Sequence, residues 1–216
     1  WKIKQSHICE KIIVAPGNAG TAEIAENLPV AVTDFEGIKK AVIKHAIELV
    51  VVGPEVPLVM GLRDFFEADT DLRSVRFIGP GSAAAQLEGS KDFAKEFMLR
   101  HQIPTAAYST FTSASLPEAF DFLESLSPPY VLKADGLASG KGVVILDRIE
   151  DAREELKQML ENKKFGEAGN KVVIEEFLRG IELSVIVLTD GETYKILQYA
   201  KDYKRIGEGD TGLNTG

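Results

Sequence analysis

The sequence predicts an α/β protein in two parts: a parallel-sheet domain, then an α+β domain with an antiparallel sheet. Three observations carry this expectation. Short apolar runs alternate with helical spacing through residues 11–101. Near Pro104 the pattern changes, and apolar runs begin to follow one another directly. Between two of the later runs lies Asp190-Gly191, a strong signal for a hairpin and so for antiparallel pairing.

Taken in order, residues 11–15 form an apolar strand that breaks at Pro16-Gly17-Asn18-Ala19-Gly20. Residues 35–49 space Phe35, Ile38, Ala41, Val42, Ala46 and Leu49 as one helix face. A second strand over 50–53 ends at Pro54, and 58–66 reads as helix. Residues 75–78 are a third strand and 82–101 a further helical stretch. Strand–helix alternation of this length builds a parallel sheet, whose ligands sit at the carboxyl ends of the strands. Those ends carry residues 16–20, 53–57 and 79–81. A domain boundary is expected between residues 85 and 105. Beyond it, 116–126 and 149–160 read as helices, and 130–134 and 142–146 as strands joined by 135–141. Residues 163–170 read as a loop, and 172–177, 182–189 and 193–199 as strands.

Composition narrows the function classes. With 44% hydrophobic and 27% charged residues over 216 positions, the chain has the make-up of a globular enzyme. Its 25 basic and 33 acidic side chains give a net charge of −8, a poor basis for sequence-independent nucleic-acid binding. No apolar stretch reaches the length of a membrane span. The single cysteine, Cys9, fits a reducing compartment, here the cytoplasm. The chain begins at Trp1 and stops in a glycine-rich run at Gly216, so it is expected to be a piece of a longer protein.

The most informative segment is Tyr130-Val-Leu-Lys133-Ala-Asp-Gly136-Leu-Ala-Ser-Gly140-Lys141-Gly142. A lysine in an apolar strand is costly unless it reaches water or an anion. A second lysine follows between two glycines, whose backbone N–H groups can approach phosphate oxygens. Together they favour a phosphate-binding lid over the plain alternative of an exposed lysine and an ordinary hairpin. This is not a P-loop, which needs four residues between its glycines and a helix after the lysine. Gly79-Pro80-Gly81 is read as a tight turn that starts a helix rather than as a dinucleotide site. Ser90 is a good N-cap for a helix beginning at Lys91, and Lys91 taken alone reads as solvated. Glu175, Glu176, Phe177, Leu178 and Glu182 either hold a nucleoside or form an exposed hairpin with solvated acids. The glycine-rich stretch 207–216 either offers donors to a polar ligand or is a bare loop.

These segments, with Pro16-Gly-Asn-Ala-Gly-Thr21, Gly53-Pro-Glu55, Phe77-Ile-Gly-Pro80, Ala85-Gln-Leu-Glu-Gly-Ser-Lys91 and Gly209-Asp-Thr-Gly-Leu-Asn-Thr-Gly216, resemble the glycinamide ribonucleotide synthetase family of ATP-grasp ligases. The resemblance runs along essentially the whole chain in one order. It implies a Rossmann-like pre-ATP-grasp domain over 1–88 and an incomplete ATP-grasp domain over 89–216, with a lid subdomain at about 105–175. It implies ATP-dependent joining of glycine to 5-phosphoribosylamine through a glycyl phosphate. ATP with magnesium, or manganese in its place, is the implied cofactor set, and the implied working form is a monomer. By the same resemblance Lys91, Lys133, Gly140, Lys141, Gly142, Glu175, Glu176, Phe177, Leu178 and Glu182 form the ATP site. Gly17, Asn18, Pro54, Glu55, Lys204, Asp210, Thr211, Gly212, Asn214, Thr215 and Gly216 form the substrate side. No metal ligand is expected in this segment. Tyr203 departs from the family pattern, which has His there in many members.

Overall fold

The computed structural model describes residues 1–138, 142–201, 203, 205–209 and 211–214. The chain divides into two compact units, Trp1–Ile103 and Pro104–Gly216.

The first unit contains β1 (Ile13–Val14), α1 (Ala19–Ala22), β2 (Glu26–Asn27), α2 (Phe35–Lys44) and β3 (Leu49–Val51). After these come α3 (Glu55–Val59), α4 (Leu62–Ala68), β4 (Arg76–Ile78), α5 (Ser82–Gly89) and α6 (Lys91–Arg100). The parallel pairing expected from the sequence is present as two pairs, β1 with β2 and β3 with β4. Leu49 joins a strand rather than the helix before it, because α2 ends at Lys44 and Ala46 takes a left-handed turn (φ 50°). The expected helices at 58–66 and 82–101 are each divided. Gly61 interrupts the first with φ 91°, a conformation that suits glycine. Ser90 interrupts the second with extended backbone and caps α6, its Oγ accepting the Phe93 N–H at 3.1 Å.

Val42, Leu62, Phe66 and Leu72 are the buried centre of this unit, joined by Phe35, Ile38, Val50, Phe65 and Phe77. Phe66 meets the Phe77 ring edge-on at 5.0 Å, so α4 lies against β4 through an aromatic contact. Lys39 on α2 reaches Asp69 at 2.5 Å and Asp71 at 3.3 Å, tying α2 to the loop after α4. The Lys39 ammonium, with backbone N–H donors, holds the Asp69 carboxyl below its ordinary range, and Asp69 in turn raises Lys39. Asp69 therefore adds stability that is present above its unfolded value and lost as pH falls through its depressed folded value. Lys39 adds stability that is lost only as pH rises through its elevated folded value. A Lys39→Met variant of this chain should lose urea resistance less steeply on acidification than the unsubstituted chain. An identical slope of urea midpoint against pH in acid would refute the tie.

The second unit opens with β5 (Tyr108–Phe111), α7 (Leu116–Ser125), β6 (Tyr130–Ala134), β7 (Val143–Leu146), α8 (Ile149–Leu160) and β8 (Val172–Glu175). The four strands form an antiparallel sheet in the order β5-β8-β6-β7. Leu132, Ala134, Val172 and Ile174 face α7 and α8, burying Leu123, Ala152, Leu156 and Met159. Alternation places Val131, Lys133, Val173 and Glu175 on the opposite face. β8 stops at Glu175, short of the expected Phe177. The expected loop at 163–170 contains a short 3₁₀ turn, Gly166–Asn170.

The remaining strands are short. β9 (Leu183–Ser184) pairs with β12 (Ala200–Lys201), and β10 (Val187–Thr189) pairs with β11 (Tyr194–Ile196). β13 (Arg205–Gly207) pairs with β14 (Thr211–Asn214). Asp190-Gly191 makes the β10–β11 turn, with Gly191 at φ 95° and Asp190 Oδ1 accepting the Thr193 N–H at 2.7 Å. That N–H and the N–H of Glu192 hold the Asp190 carboxyl below its usual range. The stretch 207–216, for which the sequence left open donors to a polar ligand or a bare loop, supplies the strand β14.

Candidate functional site

In the first unit two of the three predicted strand ends, 53–57 and 79–81, line a cavity. A cleft of about 310 Å³ is bordered by Gly53, Glu55, Leu58, Pro80, Ala85 and Glu88, at the carboxyl ends of β3 and β4. Two carboxylates in its wall favour a ligand carrying an amine or hydroxyl donors. The turn at its edge is held from α4: Arg63 Nη1 donates to the Gly79 carbonyl at 2.8 Å, and Asp64 accepts the Ser82 N–H at 3.1 Å. Gly79 sits at φ 151° with a Leu58 methyl 2.7 Å from where a Cβ would stand, so no other residue fits the turn unchanged. Glu88 lies in the segment 85–91 that carries the resemblance, though the sequence assigns it no site role, and Arg63 and Asp64 lie in no motif, because none marks a residue that contacts a turn from a different element.

Gly17 and Asn18 form the loop after β1. Gly17 has φ 78°, and Asn18 caps α1 by accepting the Thr21 N–H at 2.9 Å. Pro54 caps α3 and Glu55 is its first residue. Lys91 begins α6.

In the second unit Lys133 is not on a plain exposed face. Its Nζ donates to Glu175 Oε2 at 2.9 Å, and Glu175 is 5% exposed. The pair sits on β6 and β8, facing away from α7 and α8, at the base of the loop that follows β6. Gly142 closes that loop, its carbonyl accepting the Ala134 N–H at 2.7 Å. Gly140 and Lys141 lie outside the described residues. Glu176 is fastened to the segment before β5, its Oε1 accepting the Ala107 N–H at 2.9 Å. Phe177 and Leu178 continue past β8, and their backbone groups make no hydrogen bond among the described residues. Such a free strand end offers one donor and one acceptor side by side, which suits the edge of a purine base. Glu182 is exposed just before β9. Thr211 and Gly212 lie in β14, where Thr211 Oγ1 donates to the Glu208 carbonyl at 2.9 Å and Gly212 has φ 85°. Asn214 ends that strand. Lys204, Asp210, Thr215 and Gly216 lie outside the described residues.

Among the described residues no three His, Cys, Asp or Glu side chains gather as a metal cluster. No described helix is long and apolar enough to cross a membrane.

Residues 1–88 match the N domain of phosphoribosylglycinamide synthetase, and residues 89–216 match its ATP-grasp (A) domain. The chain belongs to the phosphoribosylglycinamide synthetase family. Phosphoribosylamine–glycine ligases of Pasteurella multocida and Vibrio vulnificus are 49% and 51% identical to it over 100% of this chain. That span is 49% of each relative, so the chain covers about half the length of the curated relatives it matches. The crystal structure of phosphoribosylamine–glycine ligase from Thermotoga maritima aligns over 99% of this chain and 49% of its own, with TM-score 0.75 and 34% identity. An N5-carboxyaminoimidazole ribonucleotide synthetase shares the fold at TM-score 0.64 and 21% identity over 93% of this chain. This phosphoribosylglycinamide synthetase family chain thus has the α/β fold expected, a Rossmann-like N domain followed by part of an ATP-grasp domain.

Proposed function

We propose that the full-length protein containing this chain joins glycine to 5-phosphoribosylamine, converting ATP to ADP and phosphate and making glycinamide ribonucleotide. The observation that carries this reading is the similarity, at about half identity along the entire chain, to proteins named phosphoribosylamine–glycine ligase. The geometry is consistent with it.

ATP fits the second unit by its donor set. Lys133 spends one of its three N–H donors on Glu175, which leaves two for phosphate oxygens. Glu175 thereby aims the ammonium. The free backbone at Phe177 and Leu178 takes the adenine edge, Glu176 fixes where that segment starts, and Glu182 accepts from the ribose hydroxyls. Lys91, Gly140, Lys141 and Gly142 complete the phosphate side, and the loop 135–142 excludes water. In this reading the residues that serve the ribosylamine and glycine are, in the first unit, Gly17, Asn18, Pro54 and Glu55, the last in the wall of the 310 Å³ cleft, and, in the second, Lys204, Asp210, Thr211, Gly212, Asn214, Thr215 and Gly216. Glycine's carboxylate takes the γ-phosphoryl group. The ribosylamine nitrogen then displaces phosphate to form the amide. Such chemistry depends on in-line positioning and charge neutralisation more than on a protein nucleophile. Magnesium, or manganese in its place, would neutralise phosphate charge, and no residue described here is assigned to hold it. The working form is a cytoplasmic monomer.

The test is ADP release by the full-length protein with ATP, magnesium and phosphoribosylamine made in situ, with and without glycine. Release that needs both glycine and the ribosylamine is expected. Release with a different acid or amine would keep the fold and discard the purine assignment. ATP binding without turnover on any pair would make the protein a nucleotide sensor.

A further inference from the structure

The loop after β1 is fastened by a side chain that carries no motif. Asn27, the last residue of β2, is half-buried against that loop and uses both ends of its carboxamide there. Its Oδ1 accepts the Thr21 hydroxyl proton at 2.8 Å. Its Nδ2 donates to the Asn18 carbonyl at 2.7 Å. A Cβ on Gly17 would overlap the same carboxamide, so the glycine and the asparagine fit one another. Asn18 is fixed from its other side as well, its N–H donating to Thr21 Oγ1 at 2.8 Å and its Oδ1 accepting the Thr21 N–H at 2.9 Å. What remains is the exposed Asn18 NH₂, which makes no hydrogen bond among the described residues. A loop held through Asn18, Thr21 and Asn27, with the Asn18 NH₂ left facing outward, is pre-organised for an anionic or hydroxyl-bearing ligand.

We infer that Asn27 is a positioning residue for the sugar phosphate: it holds the Gly17–Thr21 loop so that Asn18 presents its NH₂ to the ribose 5-phosphate portion of the substrate. The inference rests on the reading in which Gly17 and Asn18 bind 5-phosphoribosylamine. Asn27 does not touch substrate and acts through Asn18.

Asn27→Asp keeps size and shape but turns the donor facing the Asn18 carbonyl into an acceptor, so the contact becomes repulsive. In the full-length protein, calorimetry with ribose 5-phosphate as the probe should show Kd raised about tenfold in Asn27→Asp. KM for phosphoribosylamine should rise with it, while KM for ATP and the melting temperature stay at their original values. Thr21→Val, which removes the hydroxyl and keeps the shape, should move the same two quantities by a smaller factor. Unchanged ribose 5-phosphate affinity and unchanged KM in both variants overturn the inference. A general loss, with every KM and the melting temperature shifting together, also overturns it, since that is the mark of a purely structural contact. If the unsubstituted protein binds ribose 5-phosphate yet releases no ADP with glycine, the ligase reading falls, and weaker binding by Asn27→Asp still supports the role of Asn27. If it neither binds the probe nor turns over, both fall.

Discussion

Replacing Lys133 with Met in the full-length protein should cost both ATP binding and stability, and the two losses should be separable. Glu175 is 5% exposed and its ion pair with Lys133 is 2.9 Å long. Removing one partner of a buried pair costs about 3–5 kcal/mol, and the partial exposure of Lys133 places this case at the low end. Removing a charge-assisted bond to phosphate should weaken ATP binding by about 10- to 100-fold. Glu175→Gln keeps an acceptor for the lysine without leaving a buried charge, so it should fold close to normally. The double variant Lys133→Met/Glu175→Gln should regain most of the stability and none of the ATP affinity. If the double variant regains ATP affinity together with stability, Lys133 is only a brace for the sheet and the phosphate role is wrong.

The lysine was legible because a charge in the apolar run 130–134 demands a partner. Its partner was not, because Glu175 lies 42 residues further on and meets it only through the β6–β8 register. That register pairs Val131 with Glu175 and Lys133 with Val173, setting the two side chains diagonally on one face. Alternation along the strand expected over 172–177 sets Ile174 and Glu175 on opposite faces. It did not foretell that β8 stops at Glu175, where the Glu176 side chain turns back to Ala107.

The same distinction explains the rest of the fold. β3, β4, β6 and β7 each have an apolar run and were read near their places. β2 is only Glu26–Asn27, a strand by virtue of its pairing with Ile13 and Val14 and not by its own side chains. β5, Tyr-Ser-Thr-Phe, was missed for a related reason: only Phe111 in it is buried. Helix periodicity ran through Gly61 because apolar spacing on either side stays in phase while the backbone breaks, whereas the break at Ser90 was legible from its N-cap chemistry. In β9 to β11 the apolar pattern marked strand, but the single strand expected over 182–189 is two, Leu183–Ser184 and Val187–Thr189, with different partners, and Leu183, Val187, Leu188 and Ile196 are exposed. Pattern reports which residues favour a sheet, and burial needs a second layer to cover them.

Gly142→Val should weaken ATP use as strongly as the loss of a lysine, for a steric reason. A Cβ at this position would stand 2.8 Å from Ala138 Cβ and 3.3 Å from Ala134 Cβ. Valine adds two methyl groups to that overlap, and the Gly142 carbonyl cannot retreat without losing its 2.7 Å bond from the Ala134 N–H. Overpacking of this kind costs about 1–3 kcal/mol. The strain falls on the loop that is proposed to close over phosphate, so KM for ATP should rise about tenfold or more. Gly142→Ala should be milder, because it collides mainly with one methyl group. Ala138→Gly removes that methyl, so the pair Ala138→Gly/Gly142→Ala should recover both melting temperature and KM for ATP. Recovery of both means that Gly142 is needed to let the two limbs of the loop lie side by side. Recovery of melting temperature alone would mean that its missing side chain is needed where the phosphates approach the backbone, and would make Gly142 a direct part of the nucleotide site.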